Sequence, residues 1–210
     1  GFKMSNVNND VLVFNTDIQT AYNAPKEIKT FELIDPTWPP MGMVLADFNF
    51  EKPPVDPNEF ASSLVETCRK QNALGLSANQ CGYPYRVFVM GAGDDFIACF
   101  NPKVISSEGE AHMAELCPSF PLLQLRITRA KTITVEYQDW TGKSHTAKFD
   151  GISARIFLHE LDHMNGILYT DRVKPLALKS GLKKVEKFYR KYFNPQMMKR
   201  LIDGNQKTNS

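Results

Sequence analysis

Residues 150–166 read DGISARIFLHELDHMNG, with His159 and His163 four apart and Glu160 directly after the first. Asp150 marks a helix start and Gly166 a C-terminal cap. On that helix both imidazoles project from one face, about one turn apart. The spacing suits two ligands of a tetrahedral ion, with Glu160 placed to reach a water on the ion rather than the ion itself. A divalent ion lowers the pKa of its water from about 15.7 toward 7, and a nearby carboxylate can take the proton. The competing reading is a solvated helix with two surface histidines.

Upstream, Asp56 looks like an N-cap, Pro57 stands at the first helical position and Glu59 at the third. Phe60, Leu64 and Cys68 follow at helical spacing, and Gly75 is a stop, so a helix is expected over about 57–73. RVFVM (86–90) and FIACFNP (96–102) read as strands joined by the GAGDD turn. LLQLRITRA and TITVEYQDW read as further strands, and SHTAKF returns as a hairpin partner after DWTGK. A last helix is expected over about 177–193, with Leu178, Leu182, Val185, Tyr189 and Tyr192 on one face and Asn194-Pro195 as its end. Strands in a block between helices indicate an α+β fold with antiparallel pairing.

A third metal ligand is needed. Tyr169 stands where the extended protease motif has its third histidine, and tyrosine is a poor substitute for imidazole. Glu186 lies at the distance used by another protease class, but a lysine-rich helix makes an exposed ion pair its expected role. His112 and His145 read as surface or turn residues. Cys68 and Cys99 fall on apolar faces and read as buried thiols. Cys81 and Cys117 lie in turn-rich stretches from which a ligand could be presented.

The 210 residues suit one domain with an added arm. A hydrophobic fraction of 42% and a charged fraction of 23% are those of an ordinary globular protein, with no apolar run near the roughly 18–20 residues of a membrane span. No basic-then-apolar export signal is visible, so a cytoplasmic setting with four free thiols is expected, with an organelle left open for a chain whose targeting segment has been removed. The net charge of +2 is uneven: from Lys174 onward ten Lys/Arg face two Asp/Glu, a local +8 that leaves about −6 elsewhere.

Three stretches in order, GLSANQCG (75–82), ELCPSFP (115–121) and HELDH (159–163), resemble the three motifs of peptide deformylases, Gly-Leu-Ala-Ala-x-Gln-x-Gly, Glu-Gly-Cys-Leu-Ser and His-Glu-x-x-His. The similarity covers roughly residues 31–173. It implies antiparallel β-sheets packed around a central helix carrying the histidines, and one divalent metal held by Cys117, His159 and His163. Fe(II) is the expected native ion, with Zn, Ni or Co able to occupy the site. The implied reaction is hydrolysis of the N-formyl group from the initiator methionine of nascent peptides by metal-bound hydroxide, with Glu160 as base, Gln80 as side-chain donor to the oxyanion and Gly75 as a close-approach backbone position.

The resemblance also exposes departures. Leu116 replaces the motif's glycine. Pro118 replaces the residue whose N–H helps hold the formyl oxygen, and proline has none. Arg155 stands where the family tends to have an aliphatic pocket residue; solvent exposure or an ion pair is its expected role. Leu74, Ile152 and Ile156 are candidates for the apolar pocket wall. Residues 1–30 are expected to form a loose extension, 31–175 the catalytic domain and 176–210 a basic, amphipathic C-terminal helix and tail. That helix, with Lys179, Lys183, Lys184, Lys187, Arg190 and Lys191, is a candidate ribosome contact, as in bacterial members.

Overall fold

The computed structural model describes residues 1–3, 28–193 and 196. Helix α1 (Pro57–Lys70) starts where the Asp56 side chain accepts from the Glu59 N–H at 2.8 Å. It is shorter than expected because Asn72 adopts φ +50°, so Gly75 does not stop the helix but opens the next strand. Strands β1 (Gly75–Ser77), β2 (Val87–Ala92), β3 (Asp95–Cys117), β4 (Phe120–Gln138) and β5 (Ser144–Asp150) then form one antiparallel sheet in sequential order. Helix α2 (Gly151–Met164) packs against it, and α3 (Pro175–Tyr192) follows.

The two segments read separately as LLQLRITRA and TITVEYQDW are one strand, β4. Along it Leu123, Leu125, Ile127, Arg129, Ile133, Val135 and Tyr137 turn inward at the two-residue period of a pleated strand. Its partner β3 changes register against it at three irregularities, between Phe100 and Lys103, Val104 and Ser106, and Glu115 and Cys117. One apolar core lies around α2, where Ile156, Phe157 and Met164 meet Phe88, Met90, Ile133 and Val135. A second lies under α1, where Phe60, Leu64 and Cys68 meet Leu76, Val89 and Phe100.

Helix α3 buries less than its pattern suggests. Leu178 and Val185 pack against the cluster of Leu123, Leu125 and Tyr169, whereas Leu182, Tyr189 and Tyr192 are exposed. Gly181 permits this docking, because a Cβ there would lie 3.0 Å from Leu123 and 3.1 Å from Leu125. The expected stop at Asn194-Pro195 lies outside the described residues. Residues 1–3, expected to be loose with the rest of 1–30, lie against β1 and the end of β3. Residues 4–27 lie outside the described set. Among the described residues no helix is long and apolar enough to cross a membrane.

Candidate metal centre

Helix α2 presents His159, Glu160 and His163 toward the end of β3, all essentially buried. Cys117 is the last residue of β3, paired with Phe120 across the two-residue turn Pro118–Ser119. Ligand atoms of Cys117, His159 and His163 lie within 4.8 Å of one another, the only such cluster among the described residues. His112 instead contacts Thr128, His145 contacts Asp139, and Glu186 is exposed on α3 against Arg190. Cys68, Cys81 and Cys99 are buried thiols, and burial pushes Cys81 up to about 12.

Each imidazole is held through Nδ1. Glu115, two residues before Cys117 and so on the same face of β3, places Oε1 2.8 Å from His159 Nδ1. Ser77 Oγ lies 3.0 Å from His163 Nδ1, and Asn79 Nδ2 donates to the His163 carbonyl at 2.8 Å. Both Nε2 atoms and both Glu160 oxygens are buried without a hydrogen-bond partner in the protein. Buried polar atoms in proteins are ordinarily hydrogen-bonded, and these four converge on one point beside Cys117, so a group that accepts two imidazole lone pairs fits here. Burial alone would raise the Cys117 thiol; the Gly1 ammonium and the two imidazoles outweigh it and hold it well below the ordinary range, as a thiolate ligand needs. Glu160 is likewise pushed up by burial but held at about 2 by that ammonium, His163 and His159, and so stays ionised.

Glu115 is the hub of a buried ion network. Arg129 donates Nε and Nη2 to it at 2.7 and 3.0 Å, and Arg155 donates Nη1 at 2.6 Å. Arg129 also reaches Asp162 at 2.9 Å, and Asp162 accepts from Arg172. Burial would raise the Glu115 carboxyl, but His159 and Arg129 keep it at about 2. Arg155 is thus an ion-pair residue without solvent exposure. The sequence offered one signal for Glu115, its place two before Cys117; the inward alternation of β4 could have flagged Arg129.

Residues 1–3 lie beside the site as an antiparallel segment: Phe2 N–H donates to the Gly75 carbonyl at 2.9 Å, and Leu74 N–H to the Phe2 carbonyl at 2.7 Å. Lys3 and Leu116 exchange bonds at 2.8 and 3.0 Å. The Phe2 ring is buried edge-on to His159 and joins the cluster holding Ile156, flanked by Leu74 and Ile152. The Gly1 ammonium donates to Gln80 Oε1 and lies 3.5 Å from Glu160. A Cβ on Gly75 would sit 2.9 Å from Glu160 Oε1 and from Ile156 Cγ2, so a side chain there would collide with the proposed base.

Residues 47–179 match the polypeptide deformylase family. A peptide deformylase of Thermotoga maritima is 39% identical over 113 residues, 53% of this chain and 69% of that protein. Among solved structures, peptide deformylase from Legionella pneumophila superposes with a TM-score of 0.70 at 26% identity, covering 79% of this chain and 98% of that one. The Thermotoga maritima structure superposes at 0.63 and 29% identity, covering 70% and 99%. The chain therefore belongs to the peptide deformylases, metal-dependent hydrolases that act on N-formyl-methionine peptides.

Proposed function

We propose that this chain removes the formyl group from N-formyl-methionyl nascent peptides with Cys117, His159 and His163 holding one divalent ion, Glu160 moving the proton and Gln80 steadying the oxyanion. The observation that carries the reading is a thiol and two imidazoles within 4.8 Å, all buried, beside a buried carboxylate that accepts no hydrogen bond. Fe(II) is the proposed native ion, although one thiolate and two imidazoles also suit Zn, Ni or Co. When bound, the ion supplies a Lewis acid that acidifies a water and polarises the formyl carbonyl.

The chain's own groups supply the rest. Glu160, ionised and buried, takes a proton from the attacking water and returns it to the amine nitrogen as the C–N bond breaks and formate leaves. Gln80 Nε2, now 2.8 Å from Ser119 Oγ and 3.6 Å from Cys117 Sγ, is the donor for the developing oxyanion. Pro118 offers no N–H, so the backbone donor expected at that position is missing and more of the load falls on Gln80. The bonds made by residues 1–3 support a substrate that docks as an added strand between Leu74–Gly75 and Leu116. The cytosol, where nascent chains emerge, is the proposed setting, and the basic face of α3 is the proposed ribosome contact.

Formate release from a formyl-methionyl tripeptide, with anaerobic iron-loaded protein, tests the reading. Turnover is expected from the native chain. Cys117→Ala should lose metal and activity together, whereas Glu160→Gln should keep the metal and lose about 10²-fold or more in kcat. Full activity in Cys117→Ala would sink the assignment.

A further inference from the structure

We propose that Ser77 is a positioning residue whose single hydroxyl sets both the tautomer of His163 and the facing of the Gln80 amide. The inference rests on the metal reading above. Ser77 is fully buried at the end of β1, where the chain turns into the short 3-10 segment Ala78–Cys81. Its backbone N–H can only donate, so the Gln80 atom 3.1 Å from it is the amide oxygen. Ser77 Oγ lies 3.0 Å from that same oxygen and gives it the hydroxyl proton. Gln80 Nε2 is thereby turned the other way, toward Ser119 and Cys117, where an oxyanion donor is needed.

The same hydroxyl then has only lone pairs left for His163 Nδ1, 3.0 Å away. That nitrogen must carry the ring proton and donate it. His163 Nε2 keeps its lone pair on the side of Cys117 and His159, as a metal ligand requires. Glu160 Oε2 lies 3.4 Å from the same Nδ1 but without hydrogen-bond geometry, so it does not replace Ser77. His159 is set independently by Glu115. The motif that GLSANQCG resembles carries alanine at this place, so the hydroxyl adds a link that alanine cannot make.

Ser77→Ala and Ser77→Thr, measured with Co(II) as the probe metal, test the inference. Ser77→Ala should bind Co(II) about tenfold or more weakly in chelator competition. Its Co(II)–thiolate absorption should shift, and kcat should fall with KM little changed, while the melting of the metal-free protein stays within a few degrees of the parent. Ser77→Thr should restore affinity and spectrum. Native-like Co(II) affinity, spectrum and kcat in Ser77→Ala would overturn the inference and leave the metal reading intact. Equal losses in both variants would assign the effect to packing and overturn it too. A parent protein with no Co(II)–thiolate band would overturn the metal reading as well.

Discussion

Arg155 carries the largest residue-scale consequence. It stands one turn before His159 on α2, and only 1% of it is exposed. Its guanidinium donates to Glu115, to the Ile127 carbonyl at 2.9 Å and to the Ala111 carbonyl at 2.7 Å. A cation on α2 is therefore stitched to both strands of the β3–β4 hairpin. Removing one member of a buried ion pair leaves an uncompensated charge and unsatisfied carbonyls, which costs about 3–5 kcal/mol when no second partner remains. Arg129 still neutralises Glu115, so Arg155→Leu should fall at or below the lower end, about 2–3 kcal/mol in urea unfolding. A loss under about 0.5 kcal/mol, the scale of an ordinary surface change, would show that the network does not need Arg155. The sequence makes Arg155 visible as a neighbour of His159 but says nothing of its partner, because Glu115 lies 40 residues away on a strand whose register no local pattern fixes. For the same reason Cys117 could be singled out only through the ordered motifs, whereas His159, Glu160 and His163 are legible within five residues.

At the scale of elements, the β4–β5 turn depends on Asp139. Its Oδ1 accepts from Thr141 N–H at 2.8 Å, from the Thr141 hydroxyl and from Lys143 N–H at 3.2 Å, while Oδ2 meets His145 at 2.6 Å. Burial opposes ionisation, but His145 and Thr141 prevail and hold the carboxyl below its usual range. A depressed folded-state pKa gives stability that is present above the unfolded value, about 3.9, and is lost as pH falls through the folded value. Asp139→Asn should therefore cost about 1–3 kcal/mol at pH 7. The gap from the parent should close as urea titrations move below about pH 4; a gap constant down to pH 3 would refute the assignment. The DWTGK turn is legible because its chemistry is local. The middle of β3 is not: KVISSEGEAHMAE (103–115) has no apolar alternation, and much of it is exposed. Its strand is held by the backbone ladder with β4 rather than by a buried face, and a hydrophobic pattern cannot report a ladder.

For the molecule as a whole, charge and anchoring bear on where the enzyme works. Helix α3 is pinned through Leu178 and Val185 to a cluster that also contains Cys117, Leu123 and Tyr169, so its basic face is held in a fixed relation to the site. Lys183, Lys184 and Lys187 are exposed on that helix, and Arg190 is tied to Glu186. A rigid cationic face of this kind binds polyphosphate through counterion release, which makes association fall steeply with salt. The reversal Lys183→Glu, Lys184→Glu, Lys187→Glu should weaken ribosome co-sedimentation and flatten its log–log salt slope by about one for each phosphate that is no longer neutralised. Since these three lysines are exposed on α3 and stand outside the Cys117 cluster, kcat/KM on a free formyl-methionyl peptide should be unchanged. Unaltered ribosome association with an unaltered slope would remove α3 from the partner surface. A parallel fall in activity on the free peptide would instead mean that the helix acts through the Cys117 cluster rather than through the ribosome.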